Sequence, residues 1–331
     1  MPDSISTAEQ LHNFVDDLGR TLGYDPNIRS DCKNIILCGM GGSAITADVV
    51  LDCCMDCSKV PVSVIKSPGL PTWVGDRTLA IVSSYSGNTA ETIEMYNEAK
   101  GRGCRIVVIT SGGILERLAS ADGNQIIVLP KGLHPRHSIG YMIGYTLSVM
   151  ESSGCPSVSD EIRSMLPSLR EYRDLLESDG SPVRDLASRY MCHVPVICAD
   201  NSIRSVVLRW KTQFNENSKY VAFCDNLPGM KYSGLRSWSK SENDVFALTF
   251  LVGEGLFCDS VREAMSVLEG SGRDFTVIDV GGSSRMEAMF RAIMLGDYIS
   301  VTMADMRGVD AAEVKPVMLM KERLSDRPVD Y

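Results

Sequence analysis

Short apolar runs alternate along this chain with stretches whose apolar positions recur every three or four residues. The runs at 34–38, 62–65, 79–83, 105–109 and 125–129 read as buried strands. The patterns between most of them, such as Thr92, Ile93, Met95, Tyr96 and Ala99, read as amphipathic helices. A helix over 5–22, with Ala8, Leu11, Phe14, Val15, Leu18 and Leu22 at helical spacing, precedes the first strand. An apolar helix over 139–150, a charged helix over 160–177 and a Ser/Asp/Gly/Pro turn at 178–182 follow the fifth. The pattern then repeats, with strands at 194–198, 246–252 and 275–280 and helices running through Val206, Val207 and Trp210 towards Phe214, over 261–268 and over 286–306. Such alternation predicts an α/β fold of two doubly wound parallel sheets, with an N-terminal and a C-terminal helix. The expected boundaries are an N-terminal domain at 1–155, a connecting helix and turn at 156–182, and a C-terminal domain at 183–331.

Composition narrows the function classes. A chain of 331 residues with 44% apolar and 23% charged content suits two globular domains. A formal net charge of -9 argues against a nucleic-acid partner, which calls for a basic face. No apolar run approaches the roughly 18 residues of a membrane span, and the first residues do not read as a signal peptide, so a cytoplasmic location is expected. Eleven cysteines, an odd number at irregular spacing, suit reduced thiols. Cys54 and Cys57 form one C-x-x-C, but no second pair or histidine with ligand spacing follows, so no metal site is expected.

The candidate chemistry lies where strands run into helices. The strand at 79–83 leads into Ser84-Tyr85-Ser86-Gly87-Asn88-Thr89 and then into a helical pattern. Three hydroxyls there, on Ser84, Ser86 and Thr89, stand where free backbone N–H groups and the positive end of a helix dipole can hold a phosphate. An ordinary capped turn is the other reading of that loop. The strand at 34–38 ends in Gly39-Met40-Gly41-Gly42-Ser43, where glycine lets backbone approach a ligand. The dinucleotide fingerprint is incomplete, because Ala44 stands where its third glycine belongs. In a parallel sheet both loops fall at the carboxyl ends of the strands, where ligands bind. The second half has only Gly281-Gly282-Ser283 of comparable character and reads as a scaffold that holds no phosphate.

Five stretches in order carry a resemblance. They are 39–43, 84–92, Pro135-Arg136, the run Arg209-Trp210-Lys211-Thr212-Gln213-Phe214-Asn215-Glu216-Asn217-Ser218-Lys219, and 295–310. Together they resemble a pair of sugar isomerase (SIS) domains, and most closely the archaeal type of bifunctional phosphoglucose/phosphomannose isomerase. The resemblance implies interconversion of glucose 6-phosphate and/or mannose 6-phosphate with fructose 6-phosphate through a cis-enediol. By that resemblance Ser84, Ser86 and Thr89 hold the phosphate, and Gly41, Gly42 and Ser43 line the sugar pocket. Glu216 matches the base, Arg136 the cation that steadies the enediolate, and Lys321 a lysine near the sugar-ring oxygens. A carboxylate removes a proton alpha to a carbonyl only where a fixed cation stabilises the enediolate as it forms. The resemblance implies no cofactor and a homodimer, with a hexose 6-phosphate as the small-molecule partner.

The sequence departs from the family in one segment. The segment that carries the family's ring-opening histidine reads Pro228-Gly229-Met230-Lys231-Tyr232-Ser233-Gly234 here, with Tyr232 in the histidine's place. An unperturbed tyrosine titrates near about 10 against about 6.5 for histidine, so it donates a hydrogen bond but is a poor base at neutral pH. His134 and His137 flank Arg136 and are a second possible source of that function. A sugar-phosphate-binding protein without turnover is the alternative reading.

Overall fold

The computed structural model describes residues 5–28, 31–240, 245–317 and 319–320. The first half carries five parallel strands, β1 (Asn34–Cys38), β2 (Val62–Ile65), β3 (Thr78–Ser84), β4 (Arg105–Thr110) and β5 (Gln125–Val128), in the order β2-β1-β3-β4-β5. Its helices are α1 (Thr7–Thr21), α2 (Gly42–Cys54), α3 (Ala90–Gly101), α4 (Gly113–Ala121) and α5 (Ile139–Ser152). Helix α6 (Ser159–Glu177) leads to α7 (Val183–Tyr190) and the second sheet. That sheet holds β6 (Val194–Asp200), β7 (Phe223–Leu227), β8 (Phe246–Val252) and β9 (Thr276–Asp279), all parallel, in the order β7-β6-β8-β9. Around it lie α8 (Arg204–Glu216), α9 (Gly234–Trp238), α10 (Asp259–Gly270) and α11 (Arg285–Arg307). No helix among the described residues is long and apolar enough to cross a membrane.

Strand parity explains the layers, because successive side chains point to opposite faces. Ile35, Leu37, Leu79, Ile81, Val107 and Ile109 face inward and join one core with α1, α2, α5, α6, α8 and α11. Ile36, Cys38, Ala80, Val82, Ile106 and Val108 face the other way, onto Met95, Tyr96 and Ala99 of α3 and Leu115 and Ala119 of α4. The second sheet does the same, with Ile197 and Ala199 inward and Val196, Cys198, Leu248 and Phe250 outward against α10. A shared helical layer therefore lies between the two sheets. Trp210, 1% exposed, sits within it and donates to the carbonyl of Ala292 at 2.8 Å, tying α8 to α11.

The expected strands and helices are present, with ends shifted by a residue or two, and β7, α7 and the short α9 appear in addition. The edge strand β7, Phe-Cys-Asp-Asn-Leu, carries polar residues in mid-strand because much of it stays accessible, which hides it from a hydrophobic pattern. Helix α7 is only eight residues long, although its buried Val183, Ala187 and Tyr190 keep helical spacing. In both sheets the first and third strands of the order in the chain are neighbours, so the topological switch points lie between β1 and β3 and between β6 and β8.

Candidate active site

The two loops singled out by sequence sit at the first switch point. Cys38 pairs with Val82, so the turns after β1 and β3 leave the sheet side by side. Within the second loop the Ser84 hydroxyl lies 3.2 Å from Thr89 Oγ1 and accepts from the Gly87 N–H at 3.2 Å, while Ser86 Oγ accepts from the Asn88 N–H. Thr89 precedes the first turn of α3 with its side chain making no cap bond, and Ser86 is exposed. Gly87 has φ +64°, and a Cβ there would lie 1.8 Å from the carbonyl oxygen of Gly112. Only glycine lets this loop close onto the next one, where Gly87 O accepts from the Leu115 N–H at 2.9 Å.

The loop after β3 also fixes the segment that carries Arg136. The Tyr85 hydroxyl donates to the carbonyl of Pro130 at 2.8 Å and accepts from the Leu133 N–H at 2.9 Å. On the other side, a Cβ on Gly42 would meet Pro135 O at 3.0 Å and Arg136 Cα at 3.2 Å, so a side chain there would push the arginine's backbone away. Gly42 thus borders the Arg136 backbone closely, whereas a Cβ on Gly41 would meet nothing within 4 Å; Ser43, next in α2, is buried.

Glu216 arrives from the second half. Helix α8 follows β6 and runs back towards the start of β7, so its last residue, Glu216, lies at the amino end of the second sheet. Arg136, after β5, lies at the carboxyl end of the first. The two ends meet, with Arg136 Nε 3.0 Å from Glu216 Oε2. The side chains differ in setting, 5% exposed for the arginine and 45% for the glutamate. Both line a cleft of about 700 Å³ with Lys211, Lys219, Phe223 and Val314 among its walls.

Helical spacing explains how α8 builds this wall. Arg209, Gln213 and Glu216 fall on one face at i, i+4 and i+7. The first two grip α11: Arg209 makes paired bonds to Asp297 at 3.0 and 2.6 Å, and Gln213 adds a third at 2.9 Å. Burial pushes the Asp297 carboxyl up, while the Arg209 charge and these hydrogen bonds hold it down. Arg209 also donates to the carbonyl of Arg136 at 3.0 Å. Asn217, fully buried, accepts from Arg136 Nη1 at 2.7 Å and donates to Ser300 Oγ at 2.9 Å. Arg136 Nη1 further donates to the carbonyl of Ala311 at 2.9 Å. The cation is thus immobilised from three sides while the carboxylate faces open space.

The other residues fall as follows. Tyr232 is 73% exposed and lies in a turn beyond the far end of β7, whereas Phe223 at the start of that strand lines the cleft. At about 3.3 Å per residue the strand alone separates them by roughly 13 Å, so one chain does not bring Tyr232 to its own Glu216. Lys321 lies outside the described residues. His137 is buried, and burial followed by the charges of Arg209 and Arg136 holds it well below the ordinary histidine value. His134 is lowered by partial burial and then by Arg136. Asn217 and Asp297 stand in stretches that sequence reading had marked, but their roles become visible only when α11 is packed on α8. Lys219, three residues past Glu216, lines the cleft too; it closes the stretch that carries the resemblance, but the resemblance gives it no role.

The second switch point is filled from within. At the head of α8 the N–H of Ser205 donates to Asp52 Oδ2 at 2.9 Å, so a carboxylate of the first half already occupies that helix N-terminus. Cys54, beside it in α2, is pushed up to about 12 by burial and by Cys57 and Cys155.

Residues 30–129 match the family model of the SIS domain, and residues 180–324 match that of the bacterial phospho-glucose isomerase C-terminal SIS domain. Among curated proteins, the bifunctional phosphoglucose/phosphomannose isomerase of Caldicellulosiruptor bescii is 30% identical, over 96% of this chain and 98% of its own length. The enzyme of the same name from Aquifex aeolicus is 31% identical, over 88% of this chain and 90% of its own. Among solved structures, tagatose-6-phosphate ketose/aldose isomerase from Escherichia coli superposes with a TM-score of 0.73, covering 93% of this chain and 95% of its own at 17% identity, a likeness of fold. The chain belongs to the family of bifunctional phosphoglucose/phosphomannose isomerases, built on SIS domains.

Proposed function

We propose that the protein interconverts glucose 6-phosphate and/or mannose 6-phosphate with fructose 6-phosphate, with Glu216 as the base. The observation that carries this reading is the Glu216 carboxylate 3.0 Å from the immobilised guanidinium of Arg136, at the mouth of a shared cleft. The phosphate rests on Ser84, Ser86 and Thr89, with Gly41, Gly42 and Ser43 beside the sugar. Glu216 takes the C2 proton of the open-chain aldose, and the C–H electrons form the C1–C2 double bond while the carbonyl electrons move to O1. Arg136 stabilises that negative oxygen. A proton then passes from O2 to O1, and Glu216 returns its proton to C1 as the C2 carbonyl forms. A positioned acid–base group contributes about 10²- to 10⁴-fold to such a step, and a fixed cation about as much again. Lys321 is assigned the sugar-ring oxygens on the resemblance alone.

A second reading rests on Tyr232. It stands where the family carries its ring-opening histidine, and it is exposed beyond the far end of β7. A protein of this kind would bind hexose 6-phosphate without turning it over. A coupled assay with fructose 6-phosphate, run on the natural protein and on Glu216→Gln and Tyr232→His, separates the two. Turnover lost in Glu216→Gln supports isomerisation. Binding without turnover in the natural protein, with activity appearing in Tyr232→His, supports the second reading.

A further inference from the structure

Helix α8 ends in a conformation that its sequence does not favour. Lys219 has φ +52°, in the left-handed region that glycine and asparagine enter at low cost and a long side chain does not. The only other described non-glycine residue with positive φ is Asn27, a residue suited to it. A strained lysine persists where its side chain is used. Its position says how. The left-handed turn carries the Lys219 ammonium back over the end of α8, where Nζ lies 2.7 Å from the carbonyl oxygen of Glu216, 3.5 Å from that of Asn217 and 3.3 Å from that of Ala311. Ala311 O is the same oxygen that Arg136 Nη1 reaches at 2.9 Å. Two cations from different elements therefore converge on one carbonyl, and Lys219, Arg136 and Glu216 line one cleft.

We propose that Lys219 is a substrate-contacting catalytic residue, the second cation that stabilises the enediolate formed when Glu216 takes the proton. The inference rests on the isomerase reading and extends it to a residue that the resemblance gives no role. Of the three ammonium contacts only the one to Glu216 O is short. Those at 3.3 and 3.5 Å are near the limit of a hydrogen bond, so a negative substrate oxygen entering the cleft replaces them at little cost. Burial and the nearby Arg136 charge already lower the Lys219 pKa, as expected of an amine held in a partly desolvated, cation-rich site. Glycine or asparagine would make the left-handed turn without the strain, so the turn alone does not call for a lysine.

That contrast supplies the test, because a cap and a catalytic cation move stability and activity in different directions. Lys219→Gly, Lys219→Met and Lys219→Arg are compared with the natural protein and with Glu216→Gln for fructose 6-phosphate turnover and melting temperature. The expected result is that Lys219→Gly keeps or raises the melting temperature while kcat falls about 10- to 100-fold, with KM changed little because the phosphate loop is intact. Lys219→Met should lose kcat to a similar degree, and Lys219→Arg, which keeps the charge, should recover part of it. If Glu216→Gln is inactive but Lys219→Gly and Lys219→Met both stay within twofold of the natural kcat, Lys219 is a cap and the inference falls while the isomerase reading stands. No turnover in the natural protein overturns both.

Discussion

Arg136 Nε lies 3.0 Å from Glu216 Oε2, and the partner that aims the arginine is the residue next to the glutamate. Asn217 has no exposed surface and spends both ends of its amide, one on Arg136 and the other on Ser300 of α11. Asn217→Ala removes the acceptor that orients the guanidinium and leaves the Ser300 hydroxyl without its donor. We predict a kcat loss of about tenfold or more, and a destabilisation of about 1–3 kcal/mol from the unpaired buried groups. Paired kinetics and urea denaturation measure the two. Unchanged kcat in a folded Asn217→Ala protein would show that Arg136 is aimed by other contacts.

The pair between Arg209 and Asp297 lies deeper, with side-chain exposures of 2% and 7%. Removing one partner leaves a buried charge uncompensated, a change that costs about 3–5 kcal/mol. Asp297→Ala should therefore show a large drop in denaturant midpoint. Replacing both residues by apolar ones of similar volume should recover much of that loss. Activity should not recover in the double variant, because Arg209 also holds the carbonyl of Arg136.

Gly87→Ala tests the phosphate role proposed for the loop after β3. The added methyl would fall 1.8 Å from Gly112 O at a backbone φ of +64°, so the loop must shift. We expect a lower melting temperature and a raised KM for fructose 6-phosphate, by about tenfold if one charge-assisted phosphate contact is lost. A Gly87→Ala protein with natural KM would argue that the substrate phosphate binds elsewhere.

Acid stability should carry the mark of Glu287. Burial raises this carboxyl, but hydrogen bonds from Ser168 and Ser283 and the charge of Arg291 outweigh it and bring it to about 2, from an ordinary 4.5. A pKa depressed in the folded state contributes stability that is complete above about pH 4.5 and is lost as pH falls through about 2. The contribution is about 3 kcal/mol. Denaturation measured across that window should show the slope in the natural protein and a flatter profile in Glu287→Gln.

Much of this architecture was legible in the chain. The runs at 34–38 and 79–83 announce β1 and β3 because strands buried on both faces are almost wholly apolar, and the glycines and hydroxyls after them mark the switch point. β7 was illegible for the opposite reason, since an edge strand tolerates Asp225 and Asn226. Glu216 and Arg136 could be named only through family resemblance, since a helix-terminal glutamate and an arginine after proline are ordinary solvated residues until the two halves meet. Lys219 closes the Arg209–Lys219 stretch that carries the resemblance, yet nothing there gives it a role. Its distinction is a backbone angle, and no side-chain pattern encodes a lysine in the left-handed region.

The central claim is that Glu216 moves the carbon-bound proton. Glu216 is 45% exposed, so a proton it has taken can exchange with water before it is returned. The most direct measurement follows solvent deuterium into the sugar carbon during turnover of fructose 6-phosphate in heavy water. We predict deuterium at C2 of the aldose product with the natural protein and a loss of both exchange and turnover, by about 10²-fold or more, in a folded Glu216→Gln variant. Exchange at the natural rate in Glu216→Gln, or aldose product free of solvent deuterium, would contradict the account.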